Sequence, residues 1–449
     1  MSTENGCLEI TPETPTKTPA SFVIDADRIQ RLLDNGEEEK RWDKCSIYRV
    51  PSHLVLRNEK VYKPKLVSIG PYHHGEAHLT GPMEEHKHRA LCRFLRRSNR
   101  TVDDFKEALK SIVGQLMDSY EELDEEWRAD EDRFLELMIL DGCFVLEILR
   151  VFTFDKSLGY SPSDPVFGNR GRSTVTNNLV REFLMLENQL PLLVLEKLLA
   201  VENRTTEDPG MYMESLLSIV GEELGPEGNP APKLHIVDLL RNKIAGKPSS
   251  TDLPEFQSLG IESATTYAKA GITFKKSDTN FLSDIKLDKK RVLHLPVFTL
   301  FAFTETIWFN VWAFECLHTG LTQDVSTYIC VMARLLRSAE DVRLLRSRGL
   351  FAITTFGEND EVVELFRALY GNIDYRVSGD LLRVVEELGD CHRRSTRKWR
   401  RRVREWGLNL QNTYFKSPWT VLSLIAAALL IALTICQTVF STLTYYNGE

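Results

Sequence analysis

The feature of this sequence that most constrains its fold is a run of 22 residues, Trp419 to Phe440, without a charged side chain. At about 1.5 Å of rise per residue, a helix over this run is about 33 Å long, and the hydrocarbon core of a bilayer is about 30 Å thick. A buried core helix is the alternative, but such helices are usually shorter, and only nine residues follow Phe440. We therefore expect a transmembrane helix at residues 418–441 and a short tail at residues 442–449.

The distribution of charge gives this expected span an orientation. The chain carries a formal net charge of −8, yet nine Lys and Arg side chains lie between residues 391 and 418, and none follows the apolar run. Lys and Arg are enriched on the cytoplasmic flanks of membrane spans, so we expect the bulk of the chain in the cytosol. Because the N-terminus shows no signal-peptide pattern, we predict a tail-anchored, single-pass protein of the plasma membrane or an endomembrane.

The basic segment at residues 396–417 also carries an apolar stripe at helical spacing, flanked by arginines. The predicted membrane-interface residues are this stripe and the first residue of the apolar run: Trp399, Val403, Trp406, Leu410 and Trp419. A helix with this pattern inserts its indoles into a membrane surface while its guanidinium groups meet anionic head groups, so anionic lipid is the expected partner. An ordinary helix end packed on the body, or a retention and topology signal, is the alternative. Nucleic acid is not expected, because the rest of the chain is acidic.

The remainder of the chain is predicted to be mainly helical. Residues 135–152 are apolar on nearly all faces, which is typical of a helix at the centre of a core, and Asp141 within them is expected to be a partnered structural acid. Alternating apolar residues within residues 271–299 predict a small antiparallel β-sheet. The predicted fold class is therefore mainly α. It has a multi-helix globular body at residues 41–395, that small sheet, one C-terminal transmembrane helix, and a largely disordered tail at residues 1–40.

No catalytic signature is found in the sequence. P-loop, GxSxG and HExxH patterns are absent, and the eight cysteines include no CxxC pair, so they are expected to be reduced thiols. Five of the ten histidines are clustered: His73, His74, His78, His86 and His88. Metal binding would require these side chains to converge, and their spacing across a glycine and around a helix argues against it. We predict no catalytic, cofactor-binding or metal-binding residue, and no cofactor.

Several motifs in chain order resemble the plant family called domain of unknown function 247. They include IYRVP, VSIGPYHHG, LMILDGCFVLEIL, LENQLPLLVLEKL, KLHIVDLLR and ATTYAKAGITFK, at Ile47–Pro51, Val67–Gly75, Leu137–Leu149, Leu186–Leu198, Lys233–Arg241 and Ala264–Lys275. Together with the C-terminal run, they cover roughly residues 45–440. The resemblance implies a plant protein with a single membrane pass. It also implies a link to reproductive recognition, including self-incompatibility in grasses, and it implies no catalytic residue.

These observations lead to one expected function and two alternatives. We expect a tail-anchored protein whose cytosolic helical body binds other proteins in plant signalling or reproductive recognition; the sequence does not identify the protein partner. The alternatives are a membrane-tethered enzyme of unrecognised chemistry and a lipid-organising or trafficking adaptor. A pocket with convergent polar groups favours the enzyme. An exposed apolar patch favours a binding protein.

Overall fold

The structure is a computed structural model that describes residues 44–55, 59–154, 159–171, 175, 177–202, 234–247, 260–300, 303–353, 359–371, 380–414 and 418–446. The chain divides into two units, residues 1–44 and residues 45–449. The predicted disorder of residues 1–40 lies outside the described residues. All helices and strands of the described residues belong to the second unit.

Helices dominate the N-terminal half of this unit. In chain order they are α1 Ser52–Val55, a 3₁₀ turn Glu59–Val61, α2 Pro82–Ser98, α3 Val102–Lys110, α4 Val113–Asp118, α5 Glu125–Ala129, α6 Glu131–Phe154, α7 Asn169–Gly171, α8 Asn177–Phe183 and α9 Leu192–Glu202.

The C-terminal half alternates helices with short strands. Its elements are α10 Ile236–Ala245, α11 Ala264–Lys269, β1 Thr273–Lys276, a 3₁₀ turn Leu282–Asp284, β2 Lys286–Leu287, β3 Val292–Leu295, β4 Phe298–Leu300, α12 Thr304–Leu317, α13 Asp324–Leu335, α14 Ala339–Ser347, β5 Phe351–Ile353, α15 Asn359–Tyr370, α16 Leu381–Tyr414 and α17 Pro418–Tyr446.

Helix α6 is the centre of the core, as its all-round apolar sequence predicted. It packs against α2, α3 and α9, and its residues from Phe144 to Leu146 are fully or almost fully buried. Gly142 permits the close crossing of α9, because a Cβ atom there would lie 2.5 Å from Leu198 Cδ1. Mainly helical packing around this element confirms the helical part of the predicted fold class.

The sheets are small, and one prediction about them is wrong. The three-stranded sheet has the order β1-β3-β2; β2 and β3 pair antiparallel, but β1 pairs parallel to β3. Strands β4 and β5 form a second, parallel pair. The predicted antiparallel hairpin forms around Asp288, whose Oδ1 accepts a hydrogen bond from the Val292 amide at 2.8 Å. The parallel strand was missed because alternation of apolar residues defines a strand but not the direction of its neighbour.

The predicted transmembrane helix at residues 418–441 is not supported by the described part of the chain. Among the described residues, no helix is both long enough and apolar enough to cross a membrane. Helix α17, Pro418–Tyr446, covers this region. The membrane-spanning part of the predicted fold class is therefore corrected.

Buried charges connect the helices in pairs and triads. Arg150 of α6 forms an ion pair with Glu202 at the end of α9, and both side chains are almost fully buried. Arg241 of α10 lies 3.1 Å from Glu315 of α12 and 3.2 Å from Asp324 of α13. Because an unpaired buried charge is costly, these contacts fix how the helices can be arranged.

A buried histidine joins the N-terminal segment to α10. His235 Nδ1 accepts a hydrogen bond from the Asp238 amide at 3.3 Å and thereby caps α10, while Nε2 donates to the Ser46 carbonyl at 2.8 Å. The neutral tautomer with its proton on Nε2 makes both contacts. Protonation of Nδ1 would remove the acceptor for the Asp238 amide and so break the helix cap. Burial lowers the pKa of His235 to about 3.

This pKa predicts a loss of stability in acid. The unfolded chain takes up a proton at a histidine pKa of about 6.5 whereas the folded protein does not, so stability falls as the pH drops from about 6.5 towards 3. Between pH 7 and 5, His235 alone should lower the free energy of unfolding by about 2 kcal/mol. Burial raises the pKa of Asp238 to about 6, which acts in the opposite direction below that pH, but Asp238 is present in all three proteins of the test and its effect cancels in the comparison.

Urea unfolding at pH 7 and pH 5 tests this. Between the two pH values, the free energy of unfolding of H235N should fall by about 2 kcal/mol less than that of the wild type. H88N, which changes an exposed histidine on α2, should keep the wild-type dependence. Identical pH dependence in all three proteins would refute the assignment.

Candidate functional site

A buried ion pair lies where α2 crosses α6. Lys87 Nζ is 2.8 Å from Asp141 Oδ1, and both side chains are fully buried. The ammonium group also contacts Glu84 at 2.8 Å and donates to the Ser68 carbonyl at 2.6 Å, while the Gly70 amide donates to Asp141 Oδ2 at 2.8 Å. Burial alone would lower the pKa of Lys87, but the charges of Asp141 and Glu84 outweigh it and raise the pKa. Asp141 is thus the partnered structural acid that its apolar surroundings predicted.

The motifs that resemble the family meet around this pair. Asn188 Oδ1 accepts a hydrogen bond from the Ile69 amide at 2.6 Å, and Asn188 Nδ2 donates to the Val67 carbonyl at 3.2 Å. Glu187 Oε1 accepts from the Val50 amide at 2.7 Å. Segments 47–51, 67–75 and 186–191 are therefore held together by side-chain to main-chain bonds.

The clustered histidines do not converge on one point. His73 lies between Glu76, at 2.6 Å, and Glu187, at 2.9 Å. Burial alone would lower the pKa of His73, but hydrogen bonds to these two carboxylates outweigh it and raise the pKa. His78 donates to the Pro64 carbonyl, and His88 donates to the carbonyl of Glu84. Within the described residues, no group of three or more His, Cys, Asp and Glu side chains could hold a metal ion.

The predicted membrane-interface residues lie on the two C-terminal helices. Trp406 is 70% exposed and Val403 is 47% exposed on α16, and Trp419 at the start of α17 is 79% exposed. The side chains of Trp399 and Leu410 lie outside the described residues. In the part of the chain that the structure describes, every exposed large apolar side chain is on α16 or α17.

Helix α16 is buried in the body near its start and is exposed further along. Leu382 and Leu388 are buried, and Ser395 Oγ donates to the Ala270 carbonyl at 2.8 Å. From that point on, exposed basic residues follow, among them Arg397 and Arg404. The predicted boundary between the body and the basic segment, at residues 395 and 396, thus falls within one continuous helix.

Comparison with known sequences identifies the class of protein. Residues 47–433 match the family DUF247, described as a plant protein of unknown function, and the chain belongs to this family. It is 29% identical over 446 residues to a UPF0481 protein of Arabidopsis thaliana, covering 93% of this chain and 90% of the relative. A putative UPF0481 protein of the same plant is 23% identical over 513 residues, covering 91% and 93%. No solved structure matches the chain significantly.

The buried pair predicts a strong coupling between Lys87 and Asp141. Removing one partner leaves a buried charge without compensation, so K87M and D141L should each destabilise the protein by about 3–5 kcal/mol. The double variant should cost clearly less than the sum of the two. Urea unfolding provides the measurement. E364A, which breaks the exposed Glu364–Arg367 pair on α15, should cost less than about 1 kcal/mol. Strict additivity of K87M and D141L would contradict the pairing.

Two glycines of one loop give a second prediction. Gly70 has φ +77°, and a Cβ there would lie 2.6 Å from the Gln189 carbonyl oxygen; Gly75 has φ +84°, with no described atom within 4 Å. At both positions the positive φ alone should make alanine less stable than glycine by about 1–2 kcal/mol. G70A should therefore be the more destabilising, by roughly 2 kcal/mol, because it also forces two backbones apart. Thermal unfolding of both variants checks this, and equal losses would contradict the close approach.

Proposed function

We propose that this plant protein is an interaction protein that docks on an anionic lipid surface through α16 and presents its helical body to other proteins. In this proposal the body lies in the cytosol, since the cytoplasmic leaflet carries the anionic lipids. Signalling or recognition is the corresponding role.

The observation that carries the proposal is the placement of exposed apolar side chains. Soluble monomers rarely expose large contiguous apolar patches, and such patches mark interaction surfaces. Here the described exposed side chains of this kind are confined to α16 and α17, beginning with Val403 and Trp406. The large apolar side chains of the described helical body are by contrast buried or partly buried, so the C-terminal helices carry the candidate interaction surface.

The neighbouring charges favour a lipid surface. Arg397 and Arg404 lie seven residues apart, two turns along α16, and therefore share one face of the helix; Val403 lies about 100° around the helix from Arg404, and Trp406 lies on nearly the opposite side. Each basic residue close to an anionic membrane surface contributes about 1 kcal/mol, and an exposed indole adds apolar insertion.

The buried acids argue for a binding protein rather than an enzyme. Asp141 and Glu187 are buried, but their oxygens are engaged by Lys87, His73 and main-chain amides. Groups held in this way stabilise the fold and are not presented to a substrate.

Flotation of the full chain with vesicles tests the lipid docking. We expect binding to vesicles that contain phosphatidylserine, weaker binding at high salt, and much less binding to neutral vesicles. The variant R397Q/R404Q should bind roughly 30-fold more weakly, at about 1 kcal/mol for each arginine. W406S should weaken binding at every salt concentration, because its contribution is apolar.

A matched control distinguishes the effect of charge on α16 from the effect of the total charge of the protein. R343Q/R346Q makes the same change in charge on two exposed arginines of α14 and should leave binding unchanged. Equal binding to neutral and anionic vesicles, or equal losses in the two double variants, would refute docking through α16. Proximity labelling in plant tissue with the wild type and R397Q/R404Q would then identify proteins that neighbour the body only when it is docked.

A further inference from the structure

An open cavity of about 390 Å³ lies between α2, α5 and α6, and none of its described lining residues belongs to α16 or α17. Leu91, Val102, Leu137 and Leu140 supply its apolar lining, and the buried indole of Trp127 contributes to its wall. Cavities of this size with an apolar lining and a few polar groups are typical of small-molecule sites.

Two polar groups in the lining have unused hydrogen-bonding capacity. His74 Nδ1 is buried and has no hydrogen-bond partner among the described residues. Burial lowers the pKa of His74, so its ring is neutral near pH 7 and can donate from Nδ1. The Arg133 guanidinium lies 3.7 Å from Glu126, which is too long for a hydrogen bond, and both side chains are largely exposed.

The same indole brings these two groups together. The His74 ring meets the Trp127 ring edge to face, with centroids 5.3 Å apart, and Arg133 Cζ lies 4.6 Å from the centroid of that ring. One small ligand placed against Trp127 is therefore within reach of both.

The acids in the lining already have cationic partners. Glu84 is 2.8 Å from Lys87, and Glu136 is 2.6 Å from Lys106. Their charges are thus largely compensated, whereas Arg133 has only the long, exposed contact with Glu126 among the ion pairs described. This balance favours an anionic ligand over a cationic one.

We propose that this cavity binds a small organic carboxylate with a flat apolar ring. The ring lies among Leu91, Leu137 and Leu140, and the carboxylate accepts hydrogen bonds from Arg133 and His74. This site is independent of the proposed lipid docking.

Calorimetric titration of the full chain with 2-naphthoate tests the proposal, with 2-naphthamide as a neutral probe of the same shape. We expect naphthoate to bind at least about tenfold more tightly, since only its carboxylate forms a charge-paired hydrogen bond with the Arg133 guanidinium. R133Q should remove most of that preference, and it should weaken naphthoate binding more than naphthamide binding. H74F, which keeps an aromatic edge against Trp127, should weaken naphthoate binding.

R343Q on α14 is the matched control and should behave as the wild type. Since Arg133 is exposed, R133Q should fold normally, which circular dichroism verifies. Absence of naphthoate binding at millimolar concentration, equal affinity for the two probes, or an unchanged naphthoate affinity in R133Q would each overturn the proposal.

Discussion

The contact between Lys87 and Asp141 is the interaction on which the rest of the body depends. A lysine and an aspartate without exposed surface are stable only together, and here each also binds main-chain groups of the loop at residues 68–70. The pair therefore fixes three things at once: the crossing of α2 over α6, the path of that loop, and the position of Asp141 in the core. The motif at residues 186–191 then closes over the loop through Asn188 and the close approach at Gly70.

Much of the helical framework could be predicted from the sequence, because apolar periodicity is a local property. The central position of α6 followed from its apolar faces. The partner of Asp141 could not be predicted, since nothing local to α6 indicates a lysine on α2. The parallel pairing of β1 with β3 was missed for the same reason, as the direction of a neighbouring strand depends on the whole path of the chain.

The two candidate sites differ in how far the sequence revealed them. The apolar stripe on α16 depends only on the spacing of residues within one helix, so it could be predicted from the sequence. Two of its residues, Val403 and Trp406, are exposed in the structure. The histidines are also close together in the sequence, and three of them form hydrogen bonds with different partners. The cavity beside Trp127 combines a loop, three helices and the start of a fourth, and no spacing along the chain indicates such a site. The expected membrane-spanning helix was inferred from apolar length alone and is corrected by the structure.

The continuity of α16 has a geometrical consequence. From the buried Leu388 to the exposed Trp406, the chain is a single helix, so the two ends keep a fixed separation of about 27 Å at 1.5 Å per residue. They also keep a fixed angular phase, because each residue turns the helix by about 100°. Inserting one residue between them would advance the exposed face by about 1.5 Å and swing it through more than a quarter turn relative to the body. In the proposed docking, the length of α16 therefore sets the height of the body above the lipid surface, and its angular phase sets which side of the body faces away from that surface.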